Sequence, residues 1–346
     1  MITELHIAGL RGVESGSLVG LGPLTVLVGP NGGGKSTVLD ALLIGAGSSP
    51  GDAIGRAVQR RPKTWNASRW LFNREADDPT ATLRVVRGHG AQDIRTTTLA
   101  WTEGPTDSNA VLSLEQRQEV RPFTEVSGEV LSDGASRKFR VTFSAGNGFR
   151  ADPASAEARI RGWELRLIDI PRGVYQPIED VYSEAVKSGR WDAARLLLQE
   201  VLGASFVDLV ILTDNQRPVV HLKGALGTVP ATLAGDGVFA LIRLAAELAA
   251  RPRGVVLLEE PEVHLHPRLL WQTARLIWAS VIRGVQVVLS THSIELIDAL
   301  VAHAPEDGLN DLTVWRVALQ DRQLRCSPVS GAEVRVTRVD LQDDLR

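Results

Sequence analysis

The chain of 346 residues holds a single cysteine, Cys326, one methionine and two tyrosines. One thiol excludes an internal disulfide framework and any zinc site built from several cysteines. It fits a reducing, cytoplasmic setting. No apolar run approaches the length of a membrane span. The opening "MITELHIAGL" carries Glu4 and no basic stretch, which is not the pattern of a signal peptide. The expectation is a soluble, cytoplasmic protein with no membrane partner. Neither sign of charge is in excess: 38 Lys and Arg stand against 41 Asp and Glu, a formal net of −3. That balance gives no global argument for nucleic acid or for an acidic partner. The basic residues are mostly Arg. Sustained heptads, internal repeats and low-complexity tracts are also missing, so long coiled-coil arms are not expected.

What is present is an alternation of buried strands and helices at both ends of the chain. Residues 2–8 alternate and predict a strand, 24–29 a buried strand, and 35–47 a helix that ends in glycines. Residues 48–75 are rich in Ser, Pro, Gly and Arg and predict loop with a short helix. From about 80 to 170 the signals are strands: "ATLRVVRG", "DIRTTTLAW", "KFRVTFS" and "WELRLIDI". Residues 177–203 have helical spacing, and "FVDLVILTDNQRPVVHLKG" predicts a hairpin turning at "DNQRP". Then come the apolar helix "DGVFALIRLAAELAARP", the strand "GVVLLEE", the helix "PRLLWQTARLIWASVIRG" and the strand "VQVVLSTHS". "LTVWRVAL" and "RQLRCSPV" predict a closing hairpin. The pattern is an α/β protein with βαβ units at both ends and a strand-rich middle.

Residues 24–37 read "LTVLVGPNGGGKST". Gly29, Gly34, Lys35 and Ser36 fit G-x-x-x-x-G-K-[ST] between a predicted strand and a predicted helix. Such a loop turns successive backbone N–H groups toward phosphate oxygens, and glycines permit the close approach. The helix that follows aims its positive end at the same anion. Lys35 can then reach the β- and γ-phosphates of ATP, and Ser36 can ligate Mg²⁺.

A phosphate loop needs a second strand ending in acids beside it. "VVLLEEPEVHLHP" supplies Glu259 and Glu260 where an apolar strand emerges. Adjacent strand residues point to opposite sides, so the two acids divide the work. Glu259 would bind Mg²⁺, directly or through water, and Glu260 would polarise the attacking water. Two exposed carboxylates at a plain strand end are the alternative. The last buried strand places His292 at its own end, where a neutral imidazole can hydrogen-bond the γ-phosphate or the water; a helix cap or a surface histidine is the other reading.

The segments "HIAGLRGV", "LTVLVGPNGGGKST", "AGDGVFALIRLAAEL", "VVLLEEPEVHLHP" and "VVLSTHS", in that order, resemble the ATP-binding-cassette ATPases of the SMC-like branch. More narrowly they resemble the AAA-family ATPases related to the overcoming-lysogenization-defect (OLD) proteins. Together they span residues 1–47 and 232–300. The resemblance implies a P-loop NTPase with an SMC-like head, residues 1–50 and 225–303 forming the ATPase core. It places an inserted strand-rich and helical lid lobe at 51–224 and a closing segment at 304–346. It implies ATP sandwiched between two heads of a homodimer or higher homo-oligomer. Gly29, Pro30, Asn31, Gly32, Gly33, Gly34, Lys35, Ser36 and Thr37 would be the Walker A loop. Glu259 and Glu260 would close the Walker B strand, with Glu260 the catalytic base. His292 would be the switch histidine, and Arg11 a basic residue near the nucleotide. Glu262 to Pro267 would line the head–head interface. Gly235, Asp236 and Gly237 would face the other head's nucleotide as the signature segment.

The signature departs from the pattern: Gly235, or Ala234 in another register, stands where a serine is usual. No Q-loop glutamine is identifiable beyond Gln59. About fifty residues follow His292, too few for the Toprim nuclease of many OLD relatives, so a nuclease effector would be a separate chain. Phage defence or DNA maintenance is the setting the family analogy implies, either as an ATPase or as a slow nucleotide switch that scaffolds an effector. "HLHP" pairs His264 with His266 near Glu262, which reads as a weak zinc pattern or an interface loop. "RRPKTW" at 60–65 could meet a nucleic-acid backbone and stack a base, or be a solvated loop. Trp271 and Trp278 recur at spacing seven on one helix and are read as core.

Overall fold

The computed structural model describes residues 1–60, 67–73, 75, 77–88, 93–103, 123–144, 148–152, 164–169, 176–203, 206–251, 253–341 and 343–345. Its centre is a set of parallel strands: β3 (Leu24–Val28), β9 (Leu165–Asp169), β13 (Gly254–Glu259), β14 (Val285–Ser290) and β15 (Leu312–Gln320). They lie in the order β15-β3-β14-β13-β9. Every residue of β3 and β14 is buried, as expected for apolar runs covered on both faces.

The same sheet continues outward from β15. β16 (Gln323–Ser330) and β2 (Val13–Val19) lead to β1 (Ile2–Leu10). An antiparallel series follows: β4 (Thr80–Arg87), β5 (Asp93–Glu103), β6 (Phe123–Ser132), β7 (Ala135–Ser144) and β8 (Gly148–Ala151). The sheet therefore runs across the boundaries expected for an inserted lobe, with β4–β8 at one end and β9 at the other. The segment expected to form a hairpin does so, β15 pairing antiparallel with β16, and β15 also lies directly beside β3. A separate sheet holds β10 (Asp208–Asp214), β11 (Arg217–Gly224) and β12 (Gly227–Pro230). The β10–β11 turn is Asn215–Gln216, both at positive φ, the geometry of a two-residue hairpin loop.

Alternate residues of the central strands feed two cores. On one face Val26, Val256, Leu258, Val287 and Leu289 pack with α5 (Asp236–Ala250), α6 (Pro267–Ile282) and α7 (Ile294–Ala302). The helices α3 (Ile178–Lys187) and α4 (Trp191–Leu202) join that core. On the other face Leu27, Leu257 and Val288 pack with α1 (Lys35–Ala46) and α2 (Pro50–Gln59). α1 is buried from Thr37 to Ala46 because central strands lie on one side of it and β1, β4 and β5 on another.

Two local details refine the expectation. The helical spacing of residues 177–203 is met by two helices, α3 and α4, since Gly189 takes a left-handed φ of 70° between them. The short helix expected within residues 48–75 is a ten-residue one at Pro50–Gln59. Proline at the first helical position is already set for helix, and Ala53, Ile54, Ala57 and Val58 bury one face. Of the two tryptophans read as core, Trp278 is, with its Nε1–H donating to Leu300 O at 2.8 Å. Trp271 is 46% exposed and meets the His303 ring edge to face, because it lies on the outer side of α6.

Candidate functional site

The carboxyl ends of the parallel strands meet in one row. Register places Asp169 beside Glu259, Glu259 beside Ser290, Ser290 beside Leu27 and Leu27 beside Trp315. Side chains in such a row share a face, here the face of α1. The chain between β3 and α1 is the glycine loop. Gly29 sits at φ 141°, and a Cβ there would come 2.1 Å from Val317 O, so only glycine fits against β15. Gly34 leads into α1 in a left-handed conformation and offers no side-chain cap. The first N–H groups of α1 are thereby left facing the loop's concavity.

That concavity is a cavity of about 370 Å³ bounded by residues 31–37, Arg11, Glu260 and His292. Lys35 is buried, and its Nζ donates to Gly29 O at 2.8 Å and Pro30 O at 3.0 Å. Burial lowers the Lys35 pKa, while the charges of Glu260, Glu262 and Glu259 act in the opposite direction. The cation is thus held at the mouth of the helix by carbonyls and nearby acids. Arg11, at φ 55°, reaches the cavity from the β1–β2 turn. It ion-pairs with Asp40 on α1 and donates to Ala57 O at 3.3 Å.

Glu260 adopts φ 45°, a left-handed conformation that costs a residue with a Cβ roughly 1–2 kcal/mol. Its N–H donates to Ser290 O at 3.0 Å, and its Oε1 lies 3.4 Å from His292 Nε2. The strain turns Glu260 off the strand toward the cavity, where backbone outliers of this kind concentrate. Two residues on, Glu262 reaches back. Its Oε1 accepts from Thr291 Oγ1 at 2.6 Å and from the His292 N–H at 2.8 Å. Burial raises the Glu262 pKa, and those hydrogen bonds only partly oppose the rise. Sequence reasoning assigned Glu262 to an interface loop; its acceptor role toward the strand carrying His292 went unread.

Most residues expected to act on phosphate and water are together: Asn31 to Thr37, Arg11, Glu260 and His292 border the cavity, while Gly29 and Pro30 lie behind it with their carbonyls on Lys35. Glu259 stands apart from them. Its carboxylate lies one row back, ion-paired with Arg60, and it is not among the cavity's lining residues. Arg60 itself is fully buried, so it is not part of a solvated loop; residues 61–66, the rest of that basic stretch, lie outside the described residues. Gln59 ends α2 with its amide beside Gly148 on β8 and does not line the cavity.

Gly235, Asp236 and Gly237 are also away from the cavity. They form the start of α5, and a Cβ at Gly237 would meet His264 O at 2.7 Å. The signature segment and the loop after Glu260 therefore share one surface. In that loop His266 is a helix cap: its Nδ1 accepts from the Arg268 N–H at 3.2 Å, with Pro267 at the first position of α6. Among the described residues no three His, Cys, Asp or Glu side chains gather to hold a metal. A cation at the cavity would thus depend on oxygen donors such as Ser36 and Glu259 together with a ligand's phosphates, the usual arrangement for Mg²⁺. The surroundings fit that chemistry. Ser290 Oγ, in the row with Glu259, is buried and has no partner among the described residues.

Comparison with known proteins agrees with this architecture. A family model described as "AAA domain, putative AbiEii toxin, Type IV TA system" matches residues 24–89 and 135–298, more than half of the chain. An uncharacterized protein of Methanocaldococcus jannaschii is 33% identical over 113 residues, 32% of this chain and 98% of that protein. Among solved structures, an SMC head bound to the C-winged helix domain of ScpA has a TM-score of 0.52 at 16% identity, covering 95% of this chain and 97% of that one. The SMC head domain from Thermotoga maritima has a TM-score of 0.49 at 14% identity, covering 95% and 99%. The mixed α/β fold with its large sheet is that of SMC-head P-loop NTPases. Among the described residues no helix is long and apolar enough to cross a membrane.

Proposed function

The chain belongs to the AAA-domain family that its residues 24–89 and 135–298 match, and from that premise we propose that it binds ATP with Mg²⁺ and hydrolyses it. The observation that carries this reading is one cavity bordered by the Lys35 cation, the uncapped start of α1 and the Glu260–His292 pair. Phosphates would take the N–H groups of residues 32–37 and the Lys35 ammonium. Mg²⁺ would be held by Ser36 and Glu259 and would neutralise charge on the phosphates. Glu260 orients and deprotonates the attacking water, and His292 fixes Glu260 or the γ-phosphate from the neighbouring strand end.

The signature surface at Gly235–Gly237 lies outside its own cavity, which supports a sandwich in which a second head supplies it. In that dimer the N–H groups at the start of α5 would meet the other head's phosphate. One compared SMC head is bound to part of ScpA; by analogy this chain would drive or sense for a separate effector protein. The finer reading is an OLD-like ATPase acting in the cytoplasm in phage defence or DNA maintenance. A nuclease is one candidate for that separate effector, and nucleic acid one candidate for what the assembly meets.

A second reading has its own observation. The hydroxyl usual in the signature is missing at Gly235, which favours a slow switch whose ATP-bound dimer scaffolds an effector. A steady-state phosphate-release assay separates the two: sustained Mg²⁺-dependent release supports the ATPase, and release of no more than one phosphate per chain supports the switch.

A further inference from the structure

Arg60 is the capping residue that ends α2, and its side chain is fully buried. Three acids from three elements surround its guanidinium. Nη2 donates to Glu259 at the end of β13, Nη1 lies 3.1 Å from Asp40 on α1, and Nε lies 3.4 Å from Asp169 at the end of β9. Asp40 also takes Arg11. An arginine stays charged in such a place, and buried carboxylates stay ionised only with partners of this kind.

An ion cluster of purely structural use could sit anywhere in the core. This one includes Glu259, the acid expected to serve a divalent cation, in the same row as Ser290 Oγ, which has no partner among the described residues. A cation held at Ser36 would draw on a carboxylate one row back that already carries a positive group. We propose that Arg60 is a positioning residue acting through Glu259: it competes with Mg²⁺ for that carboxylate, and Asp40 and Asp169 draw it back. This rests on the reading of the cavity as an ATP and Mg²⁺ site.

The competition has a sign that a structural role lacks. Neutralising Arg60 removes a positive charge beside the cation and releases Glu259, so Mg²⁺ binds more tightly. Neutralising Asp169 leaves Arg60 leaning harder on Glu259 and removes an anion, so Mg²⁺ binds more weakly. Loss of a scaffold would weaken binding in both. Arg60 also ends the helix that packs against β7 and β8, so the outer strands and the cation's acid are joined through one side chain.

The test is calorimetric binding of the non-hydrolysable analogue AMP-PNP to the full chain, in EDTA and in saturating Mg²⁺. The ratio of the two affinities is the factor by which Mg²⁺ tightens nucleotide. Arg60→Gln is expected to raise that factor and Asp169→Asn to lower it, each by at least about ten-fold, well inside the roughly 10³-fold that a full unit charge about 4 Å away would give at an effective dielectric of about 20. Arg60→Lys keeps the charge and stays near wild type. Shifts in the same direction for Arg60→Gln and Asp169→Asn, or no shift, overturn the proposal. If Arg60→Gln does not fold, a factor lowered in Asp169→Asn but not in Arg60→Lys supports the proposal, and an unchanged or raised factor in Asp169→Asn, or an equal fall in both, overturns it. Wild-type protein that binds no AMP-PNP in either condition overturns the reading of the cavity itself, and this inference with it.

Discussion

Glu260 Oε1 lies 3.4 Å from His292 Nε2, and the two side chains reach that distance from the ends of neighbouring parallel strands. The pair is held from both sides. The Glu260 N–H is bonded to Ser290 O, and the His292 N–H to the Glu262 carboxylate. Glu260→Gln keeps the shape but is a far poorer proton acceptor, and general-base catalysis is commonly worth about 10²–10⁴-fold. Turnover should fall on that scale while calorimetric ATP affinity stays within a few-fold of wild type. His292→Ala should lower turnover with a smaller effect on affinity. Equal loss of binding and turnover in either variant would contradict the assigned roles.

The same Glu260→Gln protein should accumulate the ATP-bound dimer. Light scattering with saturating ATP and Mg²⁺ should report a mass above the nucleotide-free value. Gly237→Arg, which would crowd His264 O on the signature surface, should abolish the increase. A mass unmoved by ATP speaks against the two-headed sandwich.

Burial raises the Glu262 carboxyl above its ordinary value. The folded chain then holds that proton at a pH where the unfolded chain has already released it. The stability it contributes is fully present below the ordinary carboxyl range of about 4.3 and is lost as pH rises through the folded value. Glu262→Gln retains an acceptor oxygen and removes the titration. In urea unfolding the variant should gain on wild type as pH rises from about 4 toward neutrality. Parallel stability profiles would show that Glu262 is not desolvated.

Arg95 on β5 is buried, with its pKa lowered by burial to about 10. Its Nη1 donates to Ala46 O at 2.9 Å and Gly47 O at 3.1 Å, the last carbonyls of α1. A cation there complements the negative end of the helix. Arg95→Met should cost about 2–4 kcal/mol of unfolding free energy, since two charge-assisted bonds go and two carbonyls are left buried. Nucleotide affinity should change little, because the phosphate end of α1 is at Lys35. A loss below about 0.5 kcal/mol in urea would remove the cap from the account.

Much of the site was legible because its elements are local. Gly29 to Thr37 form a continuous loop and helix start, and Glu260 and His292 each end an apolar run. What escaped the sequence is contact at long range. Asp40 looks like one acid on an apolar helix, Asp169 like a strand end, and Arg60 like part of a solvated basic stretch. Only the sheet order brings β9 beside β13 and sets the end of α2 against both. Glu259 was read correctly as a strand-end acid, but its Arg60 partner lies 199 residues away in sequence. The short helix expected within 48–75 was not placed at 50–59, because Pro50, Gly51 and Gly55 lie there. Composition marks these as loop, although proline at the first helical position favours a helix. The β4–β8 strands were visible singly, but their continuity with the central sheet through β1 depends on pairings no local pattern records.

The central claim is that the cavity at the start of α1 holds the phosphates of ATP against Lys35. Isothermal titration calorimetry of ATP with Mg²⁺ into wild type and Lys35→Ala tests it most directly. The account predicts one site per chain in wild type and a loss of at least about 10²-fold in affinity in Lys35→Ala, the scale of a buried charge-assisted contact of 2–3 kcal/mol. Equal affinity in the two proteins, or no heat of binding in wild type, would contradict it.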